Sequence, residues 1–236
     1  MRSLRRQLAI TALGEKSATV APPLLISGLL CLALLVAGCG EGGDEDRARG
    51  KPPPPGQNFT ADDLDRFMLK PSDLPSGYEQ QRRSSGSAQD LVEAAETREE
   101  QSSLERVTAP GLEKFSSVVY RKKAGENSNK PGSTAFLYET PSAASQALPA
   151  VRRLLNDSYE LTGDFDEEQP RKIRVSGLGD EAAAGIELPL GPYALFMYVW
   201  RARNIVVTLA AGDVLGDMSG KTILEIARKI DFRATG

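Results

Sequence analysis

The chain has 236 residues, enough for one large or two small domains, and its 40% hydrophobic and 26% charged content is that of an ordinary globular protein. Its net charge is −3 and its pI is near 5.3; without the four basic residues and one acid of the first 38, it carries 25 basic against 31 acidic side chains. That balance argues against nucleic acid as a partner, because phosphate binding needs clustered Lys and Arg. The absence of histidine, with only Cys31 and Cys39 as thiols, excludes Ser-His-Asp and Cys-His catalysis, histidine-based metal sites and any disulfide framework.

The first element is an apolar run. Arg2, Arg5 and Arg6 make a positive start, no charge occurs from Ser17 to Gly40, and the densest part is "LLISGLLCLALLVA" at 24–37. Those 14 residues are short for a bilayer core, which needs about 20, and Pro22 and Pro23 interrupt any upstream extension. The pattern of positive start, apolar centre and small residues at the end is that of a secretory signal segment. An uncleaved membrane helix ending at a chance cysteine is the competing reading.

Val36-Ala37-Gly38-Cys39 resembles the lipobox of bacterial lipoproteins: an aliphatic residue, two small residues, then cysteine. The resemblance implies cleavage before Cys39 and thioether attachment of a diacylglycerol to it, often with acylation of the new amine. Two or three acyl chains anchor a protein stably where one is marginal. Residues 1–38 are then a signal peptide. Residues 39–58, "CGEGGDEDRARGKPPPPGQN", have almost nothing to bury and are expected to form a disordered tether stiffened by Pro52–Pro55. The localisation implied is the cell membrane, with a lipid-anchored body facing outside the cytoplasm.

The body is expected at 59–236 as a single domain. Thr60 with Asp62 and Asp63 opens a short helix whose Leu64, Phe67 and Met68 share a face, and Pro71 ends it. A strand is expected at 77–83. Residues 88–107 favour one solvent-facing helix with a thin apolar stripe of Leu91, Val92, Ala95, Leu104 and Val107. Strands follow at 112–122 and 134–139. Thr140 and Pro141 start a helix with Ala144, Leu148, Val151 and Leu155 at helical spacing, and Pro149 inside it predicts a kink or a break. Strands are expected near 171–175, 183–188, 193–200 and 204–211. The last two are apolar on both faces and belong at the centre of a sheet. Ser219 opens a final helix with Ile223, Ile226, Ala227 and Ile230 on one side. Hairpins dominate and regular βα alternation is missing, so the expected fold is α+β, an antiparallel sheet with helices packed mainly on one face. The phrases "GLGDEA" (177–182) and "VWRARNIVV" (199–207) and this element order are similar to small sheet-and-helix domains of secreted bacterial lipoproteins.

Three places could carry chemistry. Period two puts Phe196, Tyr198 and Trp200 on one side of their strand, a candidate ligand-binding face if that side is open; the competing reading is core. Gly177-Leu178-Gly179-Asp180 resembles a phosphate-binding glycine loop, but Ala182 stands where a third glycine belongs, so a turn is expected. Asp164, Asp166 and Glu168 alternate like calcium ligands, yet Gln169 and Val175 occupy the positions that need Gly and Glu. No metal or cofactor is expected. The function expected is a non-enzymatic envelope lipoprotein that binds a ligand or partner. An accessory subunit of an envelope complex is the alternative, and a carboxylate-dependent hydrolase is a weaker one. The expected partners are membrane lipid through acylated Cys39 and an envelope ligand or protein, not nucleic acid.

Overall fold

A computed structural model describes residues 53–122, 130–160, 171–173, 175–190, 193–213 and 218–236. Cys31, Cys39 and the acidic stretch 162–170 lie outside the described residues. The chain begins with two 3-10 turns, Ala61–Phe67 and Pro71–Asp73, and continues as β1 Tyr78–Gly86, α1 Ala88–Glu93, α2 Arg98–Thr108, β2 Leu112–Lys122 and β3 Gly132–Tyr138. Then come α3 Pro141–Glu160, β4 Arg171–Ile173, β5 Glu181–Leu190, β6 Tyr193–Ala202, β7 Ile205–Asp213 and α4 Gly220–Thr235. The seven strands form one sheet in the order β1-β2-β3-β7-β6-β5-β4, antiparallel at every step. This is the expected α+β fold. The apolar β6–β7 hairpin puts β7 at the centre of the sheet.

Alternation along β7 sorts the core into two layers. Val206 and Ala210 face α1–α3 together with Phe115, Phe136, Met197 and Val199, and meet Leu91, Leu104, Val107, Ala144, Leu148 and Val151 from those helices. Ile205, Val207, Leu209 and Ala211 face the other way, with Leu137, Tyr198 and Trp200. Three α-helices therefore share one face. The opposite face is not left open: Ile223, Ala227 and Ile230 of α4 and Leu64, Phe67 and Met68 of the first 3-10 turn cover it. Burying apolar side chains on both sides of a central hairpin requires two covering layers, each gaining about 25 cal/mol per Å² of apolar surface removed from water.

Local chemistry explains the boundaries. Thr60 and Asp63 cap the first turn reciprocally, Thr60 N–H donating to Asp63 Oδ2 at 2.9 Å. The single helix expected at 88–107 is two helices. Ser87 caps α1 by accepting from Asp90 N at 3.3 Å, and Thr97 caps α2 by accepting from Glu100 N at 3.1 Å. A second cap restarts the helix at Thr97, so the thin stripe of apolar residues serves two short helices. The break expected at Pro149 does not occur. Proline stands inside a continuous α3 on its exposed side, so the hydrogen bond it forgoes is not lost in the core. Among the described residues no helix is long and apolar enough to cross a membrane.

Candidate functional site

The aromatic face is interior. Trp200 is 0% and Tyr198 1% exposed, and Phe196 is half-buried against the same core. Their polar handles are taken by α4: Tyr198 Oη–H donates to Gly220 O at 2.9 Å, and Trp200 Nε1–H donates to Asp231 Oδ1 at 3.1 Å. A Cβ on Gly220 would sit 2.5 Å from Phe196 Cε1, so the helix starts in contact with the ring and needs glycine there. Burial, with a smaller contribution from Glu187, pushes the Tyr198 hydroxyl up to about 12. The expectation of an open aromatic platform is therefore corrected. The stripe of α4 has to be buried somewhere, and it is buried on these rings.

The glycine phrase is a fastening turn. Leu178 is buried, and Gly177 and Gly179 have φ of +67° and +68°. A Cβ on Gly179 would collide with the Arg201 carbonyl oxygen. Gly179 N–H donates to Asp231 Oδ2 at 3.1 Å, and Asp180 N–H donates to Arg201 O at 2.9 Å. Asp180 also pairs with Arg201 at 3.1 Å and accepts from Arg203 N at 2.6 Å. Its carboxylate and amide thus bind the β6–β7 hairpin and leave no cradle for a phosphate. Asp231, which holds Trp200 and Gly179 together, is raised above its ordinary value of 3.8, chiefly by burial, while its two hydrogen bonds pull it down.

The two residues of the β6–β7 turn receive the start of the body. Arg203 has φ of +52°, a conformation uncommon outside glycine. Its Nη1 donates to Pro53 O (3.2 Å), Pro54 O (3.1 Å) and Gln57 O (2.7 Å), and its guanidinium lies 4.8 Å above the Phe59 ring. Asn204, 2% exposed, accepts from Phe59 N at 2.8 Å and donates to Phe59 O at 3.0 Å and Tyr138 O at 2.9 Å. The tether expected at 39–58 therefore gives its last six residues to the body.

On the other flank of α4, Arg233 grips the carboxylate of Asp73 at 2.8 and 3.1 Å and donates to Arg66 O and Met68 O, while Lys229 reaches Asp73 at 3.0 Å. The Asp73 side chain is fully covered. Burial pushes its carboxyl up, but the hydrogen bonds from Arg233 and Lys229 outweigh burial and hold it below the usual carboxylate value.

Of the candidate residues named from sequence, Phe196, Tyr198 and Trp200 come together as core, and Cys39 lies outside the described residues. The residues that sequence reasoning missed are Arg203, Asn204 and Asp231. Their signal was the polar pair Arg203-Asn204 between two apolar strands, which marks a turn without saying what the turn holds. Among the described residues no cluster of acidic or thiol side chains is placed to hold a metal ion. The polar groups of this pole are committed to one another and to backbone, so what the arrangement does is fix α4, the 177–180 turn and residues 53–59 onto one hairpin.

No family model matches the chain, and no curated protein matches it. Among solved structures it is similar to the extracellular domain of PknH from Mycobacterium tuberculosis, at 12% identity and a TM-score of 0.49, over 75% of this chain and 97% of that one. A likeness of that size assigns no function.

Proposed function

We propose that the chain is a bacterial lipoprotein, anchored in the cell membrane through acylated Cys39, whose body is a non-enzymatic partner-binding module facing outside the cytoplasm. The observation that carries this reading is Val36-Ala37-Gly38-Cys39 at the end of an uncharged, proline-interrupted apolar run. The absence of histidine supports a non-enzymatic body. So does the engagement of its two most constrained carboxylates, Asp73 and Asp231, in bonds that hold α4. Within the binding class, a protein partner at the envelope is favoured over a small ligand, because the aromatic side chains that would have held a ligand are packed under α4. An accessory subunit of an envelope complex is the same chemistry with a permanent partner.

Fractionation tests the anchor. The chain with its native Cys39 is expected in the membrane fraction as a processed form, and Cys39→Ala is expected to accumulate as a longer, unlipidated precursor. If Cys39→Ala matured and fractionated like the parent chain, the lipoprotein reading would be wrong.

A further inference from the structure

The pole that carries the β6–β7 turn is also the pole where the chain comes in from its proposed anchor. Arg203 and Asn204 fix residues 53–59 there through five hydrogen bonds to the Pro53, Pro54, Gln57 and Phe59 backbone. Thirteen residues, 40–52, separate that point from the lipidated position, and a chain of that length spans at most about 50 Å. The C-terminal turn of α4 ends at the same pole, because Asp231 is bonded to Gly179 and Trp200 while Asp180, next in the chain, accepts from Arg203 N. Next to Asp231 stands Phe232, 76% exposed, the one large apolar side chain so exposed among the described residues. Arg228 and Lys229, one turn earlier, are exposed beside it, Arg228 donating to Ser176 O and Lys229 to Ser72 O and the Asp73 carboxylate that it shares with Arg233. A lone exposed apolar residue is ordinary on a protein surface. What singles out Phe232 is its coincidence with the pole tied to the anchor and its pairing with cations, the combination that side chains at a membrane interface use.

We propose that this pole is a membrane-contact surface, in which Phe232 seats among the headgroups of the bilayer that holds the anchor while the exposed Arg228 beside it faces anionic lipid. The proposal rests on the lipoprotein reading and goes beyond it. The tether does not merely limit how far the body can drift; its clamped end determines which side meets the lipid. Asp231 is turned inward onto Gly179 and Trp200, and the more exposed Asp180 is paired with Arg201, so each reduces the positive charge of the pole. α2, with its exposed Glu99, packs on the opposite face of the sheet from α4.

The test uses the full lipidated chain in vesicles of phosphatidylcholine and phosphatidylglycerol with brominated acyl chains, after mass spectrometry of the Cys39 peptide. Phe232→Trp adds a reporter to the buried Trp200, and Glu99→Trp is the control on the opposite face. The expected result is acylated Cys39, with a blue-shifted, bromine-quenched emission at position 232 and neither effect at 99. Acylated Cys39 with an unquenched, water-like emission at 232 overturns the proposal and leaves the anchor standing. A blue shift without bromine quenching overturns it as well, since the residue is then covered by protein, a second copy included. Equal quenching at both positions shows that no side is selected, and an unacylated Cys39 removes the anchor and the proposal together.

Discussion

Asn204 serves Phe59 as a neighbouring strand would, accepting from its N–H and donating to its carbonyl, and it reaches Tyr138 O as well. Replacement by Ala removes all three bonds at a buried position, and a buried polar group without its partner costs about 1–3 kcal/mol. Asn204→Ala is therefore expected to lose about 3 kcal/mol in urea unfolding, with an unchanged slope because the surface exposed on unfolding is the same. A loss under about 0.5 kcal/mol would mean that residues 53–59 are not held as described. Gly179 makes a sharper case. Its φ of +68° and the Arg201 carbonyl in the space of a Cβ leave no room for any side chain. Gly179→Ala is expected to destabilise by more than about 1 kcal/mol, and Gly177→Ala, where φ is +67° but no atom lies within 4 Å, by less. Equal losses at the two positions would remove the steric part of this account.

At the scale of elements, α3 carries a proline that the fold tolerates without using. Pro149 sits on the exposed side of a 20-residue helix, and proline in a helix interior is about 3 kcal/mol less favourable than alanine. Pro149→Ala is expected to raise stability by about 1–3 kcal/mol, as read from the urea midpoint; a destabilised variant would show that the proline ring packs as well as interrupts. The spacing of Ala144, Leu148, Val151 and Leu155 makes this helix legible in the sequence, but the break expected at Pro149 is absent, because the cost of a proline depends on which side of the helix loses its bond. Strand positions were legible for the same reason that β6 and β7 stand near the sheet centre: both are apolar on both faces. What pattern could not supply was the side of the sheet on which α4 lies. An amphipathic stripe says that Ile223, Ala227 and Ile230 are buried, not that Tyr198 and Trp200 are what they bury. The aromatic platform was lost to that ambiguity, and the restart at Thr97 was lost because 88–107 has helical propensity throughout while only its caps reveal two helices.

Across the whole molecule, α4 is held by two carboxylates with opposite pH signatures. Asp73, gripped by Arg233 and Lys229, is held below its ordinary value of 3.8. Its contribution is complete above that value and is lost as pH falls through the depressed one, since the unfolded chain takes up the proton first. Asp231 is raised by burial, so its contribution is present below 3.8 and is lost as pH rises through its folded value. Stability measured by urea unfolding is expected to fall on acidification below pH 3.8 in the parent chain, and Asp73→Asn should flatten that fall. If the acid limb were the same in both, the Asp73 cluster would not be what ties the first turns to α4. These bonds, with Arg203 and Asn204, make the body a firmly held end-piece for what precedes Pro53, which is the proposed lipid anchor at Cys39. The most direct measurement is the intact mass of the chain purified from membranes. The expected N-terminus is Cys39 carrying a diacylglyceryl group, with or without an acylated amine. A chain that retains residues 1–38, or one that begins elsewhere with an unmodified cysteine, would contradict it.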